Sequence, residues 1–141
     1  MASLFTRIID GELPGRFVWK DEHVVSFLTI QPIRPGHVLV VPRQEVDHWL
    51  DLPAELGTHL HTVAGHVGRA VQAAWSPTKV GLMVAGLEVP HVHYHVLPIW
   101  ELGDMSFANA DPSPRAEDLD AAAERLREAL RAAGHGEVVD A

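Results

Sequence analysis

His91, His93 and His95 stand at every second position of Pro90-His91-Val92-His93-Tyr94-His95-Val96-Leu97-Pro98, and this spacing constrains the chain more than any other feature. In an extended strand side chains alternate faces and each residue advances roughly 3.3 Å, so the three imidazoles would share one face about 7 Å apart. Val92, Tyr94 and Val96, good strand formers, would turn to the opposite face and pack there. A neutral imidazole needs both a donor and an acceptor satisfied, which makes three of them costly to place in a dry core. A reactive row of side chains is the expectation.

The flanking pattern supplies a scaffold for that strand. Phe17 to Trp19 and Val24 to Leu28 read as short strands joined by the polar turn Lys20-Asp21-Glu22-His23. Thr29 to Gly36, with two prolines and a glycine, reads as a connection, and His37-Val38-Leu39-Val40-Val41 as a strand ended by Pro42. From Pro53 to Trp75 the apolar residues Leu56, Leu60, Val63, Val67 and Val71 recur at helical steps. His59, His61 and His66 fall within that helix and are expected on a solvated face. Glu45 to Leu50 reads as a turn of helix in which His48 precedes a packed Trp49.

Thr78 to Ala85 reads as a further apolar strand, and Gly86-Leu87-Glu88-Val89-Pro90 as the turn into the histidine row. Leu119, Ala123, Leu126 and Leu130 predict a packing helix over Ala116 to Ala133, ended by Gly134. Glu101 to Arg115 is polar and proline-containing, and reads as an ordered loop bordering the site. Packing is the preferred role for Trp100, Asp104 and Phe107 there, and contact with a base the alternative. His23 and His135 carry no signal beyond a turn and a frayed terminus. The economical assembly is an α+β fold: an antiparallel sheet of about five strands, a long helix and a C-terminal helix, in one domain over residues 1–141. Its core would span about residues 4–100, followed by the loop and helix over 101–134.

Composition removes several classes of function. No cysteine is present, so a thiolate nucleophile or a cysteine-ligated zinc is excluded. A net charge of -8 without a basic stripe argues against a nucleic acid polymer as partner, though not against a small phosphate ester. No signal-peptide pattern opens the chain and no apolar run approaches a membrane span, so a cytoplasmic protein without membrane contact is expected.

His91-Val92-His93-Tyr94-His95-Val96-Leu97 resembles the His-φ-His-φ-His-φ-φ signature, φ being apolar, of the histidine-triad (HIT) family of nucleotide-binding and hydrolysing proteins. Pro35-Gly36-His37-Val38-Leu39-Val40-Val41-Pro42 is similar to that family's upstream strand with a fourth histidine, and Phe5 to Pro14 to its N-terminal segment. A small uncharacterised subgroup with Gly-Leu-Glu-Val-Pro before the triad is the closest in character. The resemblance implies a HIT-like fold, a homodimer and a small AMP-like nucleotide as ligand. It assigns His93 as the nucleophile toward the α-phosphorus, His95 as the contact to phosphate or leaving group, and His91 and His37 as a supporting pair. No cofactor and no metal are implied by this chemistry. A neutral imidazole is a competent nucleophile near neutral pH, and a protonated His95 beside it would stabilise phosphate charge and protonate the leaving group.

The expected substrate contacts are Thr29, Leu87, Glu88 and Val89, and three features there depart from the family pattern. Thr29 stands where a ribose-binding acidic residue or asparagine is usual, and Leu87 where a glutamine is favoured. Glu88 stands where a small hydroxyl residue is common, and its carboxylate would repel a bound phosphate unless it is paired. A histidine partner or a cationic leaving group would provide that pairing; a solvent-facing side chain is the plainer alternative. Three functions remain open: a nucleotidyl hydrolase or transferase acting on a phosphoramidate, ester or dinucleoside polyphosphate; a nucleotide-binding module with vestigial catalysis; and a protein whose histidines hold a metal.

Overall fold

Valine-rich segments form the sheet because β-branched side chains suit a pleated surface buried on both sides. The computed structural model describes residues 1–140. In chain order it contains α1 (Leu4–Ile9), β1 (Phe17–Lys20), β2 (Val24–Leu28), β3 (Val38–Pro42), α2 (Ala54–Trp75), β4 (Lys79–Met83), β5 (Tyr94–Ile99) and α3 (Ala116–Ala132). The five strands make one antiparallel sheet in the order β1-β2-β3-β5-β4, so the α+β architecture expected from the pattern is present. No described helix is long and apolar enough to cross a membrane.

Alternation along the strands divides the core. Val18, Val24, Leu28, Val38, Val40 and Val96 pack under α2 and α3 with Leu60, Val63, Val67, Leu126 and Leu130. Phe17, Val25, Phe27, Leu39 and Val41 face the other way and join Phe5 of α1. Leu39 pairs with His95 across β3 and β5, which places His95 on the α1 face. One register choice therefore decides that the histidine row opens under a short helix while its opposite face is sealed by two long ones.

Several expectations are corrected. Regular pairing of the histidine strand begins only at Tyr94, so His91 and His93 lie in a lead-in outside the ladder, and His37 lies one residue before β3. The 49–51 segment is a short 3-10 turn, and Trp49 is exposed, because the turn lies across the surface instead of packing its ring. His66 is half-buried in a stack with Trp19 and His135, at centroid distances of 5.7 and 4.5 Å, and His59 bonds Asp21; only His61 is fully on a solvated face. The tail is not frayed at His135, since Val138 bridges to Trp19 and the Glu137 carbonyl accepts from Lys20 N–H. Helix α1 was not anticipated at all. The loop after β5 is built from two 3-10 turns, Leu102–Met105 and Phe107–Asn109.

Candidate active site

Two backbone devices deliver the imidazoles. Gly36 has φ +94°, and a Cβ there would lie 2.9 Å from the Trp75 ring, so only glycine lets the chain turn into His37 at that point. The lead-in to β5 is held by Val92 N–H donating to Val46 O at 2.7 Å and His91 N–H donating to Val89 O at 2.8 Å. All four histidines, His37, His91, His93 and His95, are buried.

Hydrogen-bond partners settle the tautomers, because a carbonyl only accepts and a backbone N–H only donates. Ile33 N–H donates to His37 Nδ1 at 3.1 Å, so the His37 proton is on Nε2 and is donated to His95 Nδ1 at 3.0 Å. His95 then carries its own proton on Nε2. His93 donates Nδ1–H to the His91 carbonyl at 2.7 Å, which leaves Nε2 as a bare lone pair. His91 donates Nε2–H to the Pro42 carbonyl at 2.7 Å and accepts at Nδ1 from the Ser3 hydroxyl at 2.7 Å. Among the described residues no buried polar side-chain atom lacks a partner, so the partnerless Nε2 atoms of His93 and His95 are open to the cleft these residues line. Their rings are 4.8 Å apart: one lone pair and one N–H stand side by side.

Burial is the main cause of the electrostatics. It pushes His37 down to about 4 and His95 down to about 3, and the charges that His93 and its neighbours would carry push in the same direction. His91 and His93 are also held below the usual imidazole value by burial, against the opposing pull of their carbonyl partners. Near neutral pH the whole cluster is uncharged. The expected protonated His95 is therefore replaced by a neutral N–H donor.

The cleft has a volume of about 880 Å³, large enough for a nucleotide-sized ligand, and most of its wall is apolar. Thr29, Leu87, Glu88 and Val89 all line it. The Thr29 hydroxyl accepts from Gln31 N–H at 3.2 Å; Leu87 is 94% exposed at the rim; Val89 packs against the α1-side core. Glu88 is exposed, and its charge pulls the His93 pKa upward against burial. Phe107 from the loop after β5 joins the site, its ring 4.9 Å from His95. Asp104 does not: it accepts from Arg34 at 2.6 Å and from Trp100 N–H at 2.8 Å, and the guanidinium holds its carboxyl below the usual range. Trp100 stacks on Arg34 and is likewise committed to the loop.

Helix α1 supplies the wall that sequence reasoning missed. Leu4, Phe5 and Ile8 line the cleft, and the Phe5 ring stands edge-on at 4.7 Å from His93. A signal was present: Ser3 is an N-cap residue before apolar pairs at i,i+4, Leu4 with Ile8 and Phe5 with Ile9. Among the described residues no group of three or more His, Asp or Glu side chains is arranged to hold a metal ion.

Comparison with known proteins agrees with this geometry. The profile of the HIT domain family matches residues 10–101. An uncharacterized HIT-like protein of Methanocaldococcus jannaschii is 36% identical over 102 residues, covering 70% of this chain and 79% of that one. The adenosine 5'-monophosphoramidase of Saccharomyces cerevisiae is 30% identical over 98 residues, covering 69% and 62%. The asymmetrical bis(5'-nucleosyl)-tetraphosphatase of Schizosaccharomyces pombe is 38% identical over 79 residues, covering 52% and 43%. The crystal structure of a hypothetical histidine triad nucleotide-binding protein from Sulfolobus tokodaii superposes with a TM-score of 0.81 at 27% identity, covering 91% of each chain.

Proposed function

This chain belongs to the HIT family, and on that premise we propose that it is a nucleotide-binding hydrolase or nucleotidyltransferase working through a transient nucleotidyl-His93. The observation that carries the proposal is the pair of open Nε2 atoms, a bare lone pair on His93 beside an N–H on His95, at the floor of a nucleotide-sized cleft. Two named enzymes among the relatives act on a nucleoside phosphoramidate and on a dinucleoside polyphosphate, so a small nucleotide with such a linkage is the substrate class proposed here.

In the first step His93 Nε2 attacks phosphorus. The P–N bond forms as the bond to the leaving amine, alkoxide or phosphate breaks; a phosphate departs as its anion, whereas an amine or alkoxide takes a proton from water at the cleft mouth, leaving a hydroxide that the proton released in the second step neutralises. His95 donates its Nε2–H to a phosphoryl oxygen, and His37 keeps it in that tautomer through their shared hydrogen bond. His91 orients the nucleophile through its carbonyl. In the second step water attacks phosphorus, the P–N bond breaks, His93 recovers its lone pair, and the new phosphate group releases a proton. Two displacements replace one difficult step, and neither requires a charged imidazole at the start.

The apolar wall of Leu4, Phe5 and Ile8 suits a flat base, and Thr29 offers one hydroxyl to the sugar. A homodimer belongs to the same proposal; strand β4 is a sheet edge with Leu82 45% exposed, which leaves a strand free to pair. Intact-protein mass spectrometry after exposure to adenosine 5'-phosphoramidate tests the chemistry. A transient adduct of nucleotidyl mass in the parent and none in His93→Ala is the expected result. Binding of adenosine monophosphate without adduct or turnover would leave a nucleotide-binding module in its place.

A further inference from the structure

We propose that Glu45, acting through Ser3 and Thr6, is a positioning residue that clasps helix α1 onto His91 and so holds both the nucleophile and the base-side wall of the cleft. The inference deepens the proposed function and rests on it for the word nucleophile.

A structural demand motivates it. His91 and His93 lie before the first ladder pair of β5, so ladder pairing does not fix their rings, and from β3 only Pro42 O reaches them, at His91 Nε2. Side-chain contacts must do so, and one connected set reaches them. The Glu45 carboxylate oxygen accepts from Ser3 N–H at 2.6 Å and from the Thr6 hydroxyl at 2.8 Å. Ser3 caps α1 by accepting from Thr6 N–H at 3.1 Å, and its single hydroxyl proton goes to His91 Nδ1 at 2.7 Å. His91 passes the constraint on, since its carbonyl receives His93 Nδ1–H. On the same helix, between the two hydroxyl residues, Phe5 abuts the His93 ring.

The arrangement has two consequences. Pro42 O accepts from Nε2–H and fixes the His91 tautomer, while the Ser3 hydroxyl grips Nδ1, so the ring is held at both nitrogens in one orientation. A helix of six residues is also too short to be stable alone, so α1 stays docked only through tertiary contacts. Glu45 holds two of its donors with one oxygen, and the helix N-terminus favours that negative charge. Glu45 is itself exposed and lines no part of the cleft, so it acts on ligand only through the clasp.

The test uses the full chain with Glu45→Ala, Glu45→Gln, Thr6→Val and, as a neighbour outside the clasp, Gln44→Ala. Two readouts need no substrate: imidazole nitrogen shifts by NMR, which report the hydrogen bond at His91 Nδ1, and amide exchange over residues 4–9. Turnover of adenosine 5'-phosphoramidate supplies a third, separated into kcat and KM. Glu45→Ala and Thr6→Val are expected to move the His91 Nδ1 shift toward that of an unbonded imidazole nitrogen while Pro42 O keeps the proton on Nε2, and to speed α1 exchange roughly 10- to 100-fold, the loss of one or two charge-assisted hydrogen bonds. They are also expected to lower kcat. Glu45→Gln, which keeps an acceptor oxygen, recovers most of each effect, and Gln44→Ala matches the parent. Unchanged His91 shifts and unchanged α1 exchange in Glu45→Ala and Thr6→Val overturn the clasp. Because those two readouts precede any chemistry, they decide it even if the parent turns nothing over, a failure that would fall on the proposed function alone.

Discussion

Lowering the pH from about 7 to about 5 is expected to weaken the fold by roughly 4 kcal/mol through two side chains of the site. Unfolded, His37 and His95 titrate near 6.5; in the native protein burial holds them at about 4 and about 3. Below 6.5 the unfolded chain therefore takes up two protons that the native chain refuses, and stability falls with pH across that interval. Each pH unit costs about 1.4 kcal/mol per ring, so reaching about pH 5 costs about 2 kcal/mol for each. His91 and His93 are shifted in the same direction and add to the loss. The carboxyls held below their ordinary values, Asp21, Glu45 and Asp104, act only at lower pH, which leaves the interval to the imidazoles. For a domain of this length 1 kcal/mol moves the thermal midpoint by about 3 °C, so a fall of about 12 °C is expected. Thermal unfolding followed by circular dichroism at constant ionic strength measures it. The double variant His37→Asn with His95→Asn should lose that part of the slope and keep only what His91 and His93 add. A parent midpoint that moves by less than about 3 °C, or a double variant with the parent's slope, would refute the reasoning.

Three further outcomes are expected. Gly36→Ala places a Cβ at positive φ against the Trp75 ring and should lower stability by about 2 kcal/mol, read as a lower urea midpoint at unchanged slope. Arg127→Met removes two hydrogen bonds from buried Arg127 to the Phe17 carbonyl, at 2.9 and 2.7 Å, and should cost about 2 to 3 kcal/mol; equal stability would mean the carbonyl finds another donor. Glu88→Ser should lower kcat/KM about fivefold for phosphoramidates with a cationic leaving group relative to neutral ones, because an exposed carboxylate at the cleft wall is worth about 1 kcal/mol to a nearby cation. An unchanged profile across such a panel would remove Glu88 from substrate choice.

Strand and helix identities were legible because their causes are local. Val24–Leu28 carries its β-branched run, and Leu60, Val63, Val67 and Val71 repeat at helical steps whatever surrounds them. Errors arose where a partner distant in sequence decides. Trp49 is apolar but finds no surface to cover, and His66 and His135 meet across 69 positions, one stacked on Trp19 and the other edge-on to it. Helix α1 escaped notice because six residues hold too little periodicity to outweigh the cost of nucleating a helix.

Chemistry at the site divides in the same way. Residue type and alternation alone announced a row of imidazoles with an upstream fourth, because side-chain direction in an extended chain has a period of two. Which nitrogen carries each proton was beyond that pattern. It depends on Ile33, Pro42, His91 and Ser3 presenting a donor or an acceptor at hydrogen-bond distance, and the charge state depends on burial that only the packed sheet and α1 create. A spacing rule reaches along one strand, whereas hydrogen bonds and desolvation act through space between segments that folding brings together.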